Sequence, residues 1–509
     1  MKREIMMSLA GCLFFCSSYA QEVYNLRFNP DHYSVQTFQI DKKEYKVRAY
    51  ENIIYVANPV DTAYQKINIY VPEAYYQDQA INGYTKETAP VFFPNAIGGY
   101  MPSAPMYLNN TGDRNIFGQR ANRPMRPLPP MPGDMKQGSA IHTALSKGYI
   151  VASPGARGRS LKDSAGVNTG KAPAGLVDLK AAVRYLRSNT QLIPGDQEKI
   201  ISNGTSAGGA MSTLLGATGN STDYEPYLQE LGAAEAKDHI YAVSAYCPIT
   251  DLDHADAAYE WQFNGINTYQ SRMMDMIEGV APGKKTDNEL SALQIKTSFD
   301  LKYLFPVYLN SLQLKDEQGN PLVLDTQGEG SFKEFVKSFV IASAQRALDQ
   351  GKDLSAKPWF QVSNGKVIGL DFTEYVRNMK RMKTPPAFDS FDLSAPENHL
   401  FGSVTKDAQH FTQFSYDNSP QKGTIADAAI IRMMNPLYYI GEQGVDNSKY
   451  WHIRYGTIDN NTSLAIEVIL ATYLQNKGLS VDFQLAWDRP HMGDYDLDEL
   501  FNWFDSICK

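Results

Sequence analysis

Lys199-Ile-Ile-Ser-Asn-Gly-Thr-Ser206-Ala-Gly-Gly-Ala-Met-Ser-Thr-Leu-Leu215 is the stretch on which the reading of this chain turns. An apolar run, Lys199 to Ser202, leads into Gly204-Thr205-Ser206-Ala207-Gly208, and a helix-forming run from Ala210 to Leu215 leads out. A serine held on a sharp turn between a strand and a helix needs neighbours without Cβ, so that its hydroxyl stands clear at the strand's C-terminal end. The bare GxSxG pattern is weak evidence, and the strand before it and helix after it supply the context it requires.

Working outward, other strand-like runs flank this turn. Pro90 to Phe93, Tyr149 to Ala152 and Ile240 to Tyr246 are nearly continuous in apolar character, as suits strands covered on both faces of a parallel sheet. Between them, Leu176, Leu179, Val183 and Leu186 form one apolar stripe of a helix over 176–187. Val35 to Ile40, Tyr45 to Ala49 and Lys66 to Val71 predict an opening antiparallel meander. Alternation of strand and helix gives an α/β fold class with a mostly parallel central sheet. The rhythm changes over residues 256–430, where Phe332, Phe335, Val336, Phe339 and Val340 mark a helix. It resumes with strands at 451–455 and 481–486 and helices at 463–475 and 497–506. The expected organisation is therefore a core over 21–255, an inserted lid over 256–430 and a second part of the core over 431–509. A stretch with five prolines, 122–134, predicts a stiff surface loop.

Residues 1–20 read as an export signal. Lys2 and Arg3 precede the apolar run from Ile5 to Cys16, followed by Ser18-Tyr19-Ala20 before Gln21. A competing reading places a lipid anchor at Cys12, within Leu9-Ala10-Gly11-Cys12. The expected location is exported, periplasmic or secreted. Cys247 and Cys508 remain in the mature chain, either paired or as two buried thiols. Of the 509 residues, 48 are Lys or Arg and 56 are Asp or Glu, a net charge of -8 with no basic footprint for nucleic acid. No second apolar run reaches the roughly 18 residues of a membrane helix. The oligomeric state is left open.

A serine hydroxyl needs a base, and on this kind of fold the order along the chain is serine, acid, histidine. Among eight histidines, His491 sits in a loop after the strand 481–486. Asp459 ends the strand that begins at Trp451 and precedes His491 by one helix and one strand. Thr462 and Ser463 are available to cap the next helix, which releases Asp459 from that role. Backbone donors for an oxyanion are expected at Ala207, the residue after the serine, and at Gly99 in Pro94-Asn95-Ala96-Ile97-Gly98-Gly99-Tyr100. Asp251, Asp253, His254 and Asp256 lack any metal-site spacing and read as a solvated turn at a strand end. Gly155, Gly158, Arg157 and Arg159 lack a Walker lysine and read as a structural loop. No metal and no organic cofactor is expected.

Together with GxSxG, the motifs Ser153-Pro-Gly-Ala-Arg-Gly-Arg159, Thr169-Gly-Lys-Ala-Pro-Ala174, Cys247-Pro-Ile-Thr-Asp-Leu-Asp-His-Ala-Asp256 and Lys383-Thr-Pro-Pro-Ala-Phe-Asp389 resemble the bacterial tannases (tannin acyl hydrolases, subtype B) across nearly the whole mature chain. Those are esterases of the α/β-hydrolase superfamily that release gallate from galloyl esters. The resemblance implies an α/β-hydrolase core with a large lid, a small phenolic ester as partner, and the triad Ser206, Asp459 and His491. It also implies that Lys383 and Glu397 read the phenolic hydroxyls and that Ile249 and Pro396 contact the ring. One position departs from the family. Where tannases carry an aspartate two residues after the triad acid, this chain has Asn461, which keeps an acceptor oxygen, gains an NH2 donor and loses the charge. A hydroxycinnamate esterase of the same fold is the nearest alternative, and a catalytically silent binding protein is a more distant one.

Overall fold

The structure, a computed structural model, describes residues 23–110, 140–270 and 287–509. The export signal expected over 1–20, the Cys12 anchor and the proline-rich loop 122–134 lie outside the described residues. Strands β1 (Ser34–Ile40), β2 (Lys43–Ile54) and β3 (Lys66–Pro72) open the chain as an antiparallel meander. Next come β4 (Pro90–Pro94), α1 (Ala140–Ser146), β5 (Ile150–Pro154), α2 (Ala174–Ser188), β6 (Asp196–Thr205), α3 (Ala207–Ala217), α4 (Glu225–Glu230) and β7 (Ala242–Tyr246). Both β4 and β5 are buried along their whole length, the pattern of interior strands in a sheet covered on both faces.

After β7 the chain leaves the sheet. It forms α5 (Leu252–Phe263), the short pair β8 (Thr268–Tyr269) and β9 (Asn288–Glu289), α6 (Ala292–Ser311), α7 (Ser331–Asp349) and the hairpin β10 (Phe360–Ser363) with β11 (Lys366–Leu370). Then follow α8 (Phe372–Met379), α9 (Pro396–Leu400), α10 (Gln413–Asn418) and α11 (Ala428–Met433). The chain re-enters the sheet with β12 (Tyr450–Gly456), α12 (Leu464–Asn476), β13 (Ser480–Ala486) and α13 (Leu497–Cys508). One nine-stranded sheet results, in the order β1-β2-β3-β5-β4-β6-β7-β12-β13, parallel from β5 onward.

Aromatic packing fixes the C-terminal helix under the sheet. Phe501 of α13 lies 5.4 Å from Phe92 of β4 and 5.3 Å from Tyr149, ring centre to ring centre. Rings of this size remove large apolar areas from water, the main favourable term in folding. Cys247 and Cys508 are both buried free thiols. Among the described residues no helix is long and apolar enough to cross a membrane.

Candidate active site

Strand register gathers the site. Pairing sets Pro94 opposite Asn203, Thr205 opposite Tyr246, Tyr246 opposite Arg454 and Gly456 opposite Ala486. The C-terminal ends of five neighbouring strands thus stop along one edge, and residues 95–99, 206, 247–249, 457–461 and 487–491 emerge together. That edge is where open α/β sheets place their ligands.

Ser206 occupies the turn between β6 and α3 with φ 61° and ψ -124°, a conformation that costs energy for a residue with a Cβ and is held by its surroundings. Its N–H donates to the Tyr246 carbonyl (2.8 Å). The two flanking glycines are sterically required: a Cβ on Gly204 would strike the backbone of Gly208, and one on Gly208 would lie 2.7 Å from Asn95 Oδ1 and 2.8 Å from the Ile97 carbonyl.

Asp459 is wholly buried at 0% exposure. Its Oδ2 accepts from His491 Nδ1 (2.7 Å) and its Oδ1 from the Asn461 N–H (2.9 Å). Ser463 caps α12 by accepting from the Ala465 N–H. Behind the aspartate, burial pushes both the Cys247 thiol and the Glu467 carboxyl well up, and the proximity of Asp459 adds to both effects. The Cys247 sulfur donates to the Met492 carbonyl (3.3 Å), and ligand atoms of Cys247, Asp459 and His491 lie within 4.8 Å of one another. The His491 loop is tied to the serine strand by Asn203 Nδ2 donating to Asp494 Oδ1 (3.0 Å). It is also tied by Gly493, packed so closely on Thr205 that a Cβ there would collide with its hydroxyl. His491 Nε2 is buried without a hydrogen-bond partner among the described residues, and no hydrogen bond joins it to the Ser206 hydroxyl. Such bonds commonly tighten only when substrate is bound.

The loop after β4 lies over the serine turn. Asn95 Nδ2 donates to the Gly208 carbonyl (3.1 Å) and to Ser212 Oγ (2.9 Å), and Tyr100 donates to the Ile249 carbonyl (2.8 Å). Ala207 is the first residue of α3, so its N–H has no partner one turn back in the helix. The Gly98 carbonyl is held by the Met101 N–H (3.0 Å), which turns the N–H of the same peptide, that of Gly99, the opposite way. Asn95 and Tyr100 stand inside the motif read for Gly99, but their own bonds have no signature in a single sequence.

From the segment inserted after β7, Tyr259 of α5 joins two segments. Its hydroxyl accepts from the Met382 and Lys383 N–H groups (3.2 Å each) and donates to the Asn460 carbonyl (3.0 Å), which sets Lys383 beside 459–461. The Lys383 ammonium stands 3.6 Å from the centre of the Phe388 ring and makes no hydrogen bond or ion pair among the described residues. Burial lowers its pKa, against the opposing pull of Glu397, Asp256 and Asp459. Glu397, on α9, is 4% exposed, and its buried Oε2 has no hydrogen-bond partner among the described residues. Pro396 is the first residue of that helix, partly exposed, while Ile249 and Asn461 are buried. Asn398 holds α9 in place by donating to Asp389 Oδ1 (2.7 Å).

The acidic cluster corrects the expectation of a solvated turn. Asp251 and Asp256 are buried at the start of α5. Asp251 accepts from His254 (3.0 Å), Asn435 (2.8 Å) and the Tyr308 hydroxyl, and Asp256 accepts from the Phe388 (2.7 Å) and Asp389 (3.0 Å) amides. Apart from His254, these partners come from the insertion and from the approach to β12, so local spacing gives no sign of them. Arg157 is a structural anchor, bonded through Nε and Nη2 to Asp178 (3.0 and 2.9 Å).

An α/β-hydrolase esterase is the class that this sheet and its strand-end site define. The BD-FAE family model matches residues 132–290, and no curated protein matches the chain. Among solved structures, the tannase of Fusobacterium nucleatum is 48% identical with a TM-score of 0.87, over 96% of this chain and 100% of that one. The tannin acyl hydrolase of Lactobacillus plantarum is 42% identical with a TM-score of 0.85, over 95% and 99%. A tannin acyl hydrolase in complex with ethyl gallate is 42% identical with a TM-score of 0.84, over 95% and 99%. The chain belongs to the bacterial tannase family.

Proposed function

We propose that this protein is a serine esterase that hydrolyses galloyl esters and releases gallate. The observation that supports the reading is the hydrogen-bonded Asp459–His491 pair and the strained Ser206 turn at one sheet edge, with the Lys383 amine and the Glu397 Oε2 making no hydrogen bond or ion pair among the described residues. In this account His491 Nε2 takes the Ser206 proton as Oγ attacks the ester carbonyl, and Asp459 steadies the resulting imidazolium. The Ala207 and Gly99 amides hold the negative oxygen of the tetrahedral intermediate. The intermediate collapses, the alcohol leaves with the proton from His491, and a galloyl ester remains on Ser206. Water, deprotonated by His491, then attacks that ester, and gallate and the free serine are regenerated.

Recognition of the ring follows from donor and acceptor counting. Lys383 offers only N–H donors and Glu397 only acceptor oxygens, so vicinal hydroxyls, each both donor and acceptor, satisfy the two together. Ile249 and Pro396 supply apolar contact to the ring face, and Asn461 takes the remaining hydroxyl through its amide. Residues 256–430 act as the lid that brings these groups to the core, and residues 1–20 direct export. The gallate ester bound by one relative adds support. A ferulate ring, with a methoxy in place of one hydroxyl, leaves Glu397 without one donor, which favours the galloyl reading over the hydroxycinnamate one. Comparison of kcat/KM for methyl gallate, methyl protocatechuate and methyl ferulate tests it. Methyl gallate is expected to exceed methyl ferulate, and a tenfold advantage for ferulate overturns the assignment.

A further inference from the structure

The segment Ser153-Pro-Gly-Ala-Arg-Gly-Arg159 takes no part in the chemistry described so far, yet it lies along the whole of the loop that carries Gly99. Ser103 and Ala156 exchange backbone hydrogen bonds (3.0 and 2.9 Å), and the Arg159 N–H donates to the Tyr100 carbonyl (2.9 Å). Gly158 faces the Met101–Pro102 peptide so closely that a Cβ would strike it. The segment is itself immobilised. Arg157 is anchored on Asp178, and Lys171 Nζ donates to the Arg159 carbonyl (2.8 Å).

From this fixed base the Arg159 side chain reaches back, and its Nε donates to the Gly99 carbonyl (2.8 Å). Gly98 and Gly99 have no side chains with which to anchor themselves. Gly99 has φ +54°, and the space where its Cβ would lie is open. The two peptide planes that meet at Gly99 are therefore held from outside, one by Met101 N–H on the Gly98 carbonyl and the other by Arg159 on the Gly99 carbonyl.

We infer that Arg159 is a positioning residue for the oxyanion donors, fixing the Gly99–Tyr100 peptide plane so that the adjoining Gly98–Gly99 plane cannot turn about Gly99 and the Gly99 N–H stays aimed at the developing negative charge. This rests on the serine-esterase reading above. Oxyanion donors accelerate the reaction because they are oriented before charge develops, and a donor free to swing must be reoriented during the reaction. A guanidinium suits the task, since its planar fork loses less freedom per bond than a lysine ammonium. Its remaining N–H groups make no hydrogen bond to described residues. Burial lowers its pKa, and Glu397 is the charge that opposes this.

The test compares Arg159→Met with the wild-type enzyme on methyl gallate, together with affinity for an aryl boronic acid that forms a tetrahedral adduct on serine. The expected result is a fall in kcat of about 10- to 100-fold with KM within about twofold, since complete removal of an oxyanion donor costs about 10²–10³. Boronate affinity should fall in parallel, while gallate binding in a Ser206→Ala background stays within about twofold. Arg159→Lys keeps the stem and charge and guards against a folding defect; it is expected to lose about threefold to tenfold in kcat and a similar factor in boronate affinity. Wild-type kcat and boronate affinity in either folded variant, or a loss of gallate affinity as large as that for boronate, overturns the inference. Failure of the underlying reading is distinguishable, because the boronate would then bind wild type and Ser206→Ala equally.

Discussion

Lys383 and Glu397, a lysine and a glutamate, lie in one another's electrostatic field, yet among the described residues no ion pair joins them. Buried charges are ordinarily paired, and leaving two apart is costly. Under the proposed function, a shared phenolic ligand gives each its missing partner. Lys383→Met and Glu397→Gln are each expected to lower kcat/KM for methyl gallate by about 10- to 100-fold, the worth of one hydrogen bond to a charged group. Hydrolysis of methyl benzoate, which lacks the hydroxyls, should change by less than about threefold. Steady-state kinetics on the two esters checks this, and equal losses on both would remove the recognition role.

Asn461 sits beside the Asp459–His491 pair, its N–H bonded to Asp459. Asn461→Asp replaces a mixed donor and acceptor by acceptors alone. The ratio of kcat/KM for methyl gallate over methyl protocatechuate is expected to rise about threefold to tenfold, as one better-matched hydrogen bond provides. An unchanged ratio would show that position 461 does not read the third hydroxyl.

Gly493 gives a steric test of the histidine loop. Any Cβ there meets the Thr205 hydroxyl, so Gly493→Ala must shift the loop that carries His491. Displacement of a catalytic group by about 1 Å costs about 10²-fold in rate. A fall in kcat of that order with KM little changed is expected in the methyl gallate assay, and Gly493→Ala/Thr205→Ala, which removes the nearest obstruction and leaves Tyr246 Cβ at 2.9 Å, should recover part of it.

His254 makes stability depend on pH. Burial opposes its charge, but the carboxylates of Asp251 and Asp253 outweigh burial and push its pKa up to about 10. A histidine whose folded value lies above the unfolded value of about 6.5 binds its proton more tightly when folded. Its contribution is complete below about pH 6.5, declines as the pH rises and is lost above the folded value near 10. Thermal unfolding followed between pH 6.5 and 10 is expected to show Tm falling with pH in the wild-type protein, and His254→Asn should flatten that slope.

The elements around Ser206 were legible because their signals are local. The apolar run before the elbow, the glycines at 204 and 208 and the stripe Leu176, Leu179, Val183 and Leu186 each report on a few neighbouring residues. Position along the chain singled out Asp459 and His491 as candidates, since of the six histidines after the serine only His491 lies in a loop after the last strand, and the structure joins the two by a hydrogen bond. The Asp251 cluster was misread because its burial depends on Tyr308 and Asn435, which are distant in sequence and bring no local pattern. Lys383 and Glu397 are similar: nothing in a lysine before Thr-Pro-Pro or a glutamate after a proline shows that Tyr259 and Asn398 hold the segments that carry them. Arg159 stood in a quoted motif, but its bond to Gly99 requires two loops to meet in space.

The release of gallate from methyl gallate by the wild-type protein and by Ser206→Ala, measured side by side at equal concentration, tests the central claim most directly. The account predicts turnover by the wild type and a loss of about 10⁴-fold or more in the variant, the scale seen when a triad member is removed. Wild-type protein that releases no gallate, or a folded Ser206→Ala variant within tenfold of it, would contradict the account.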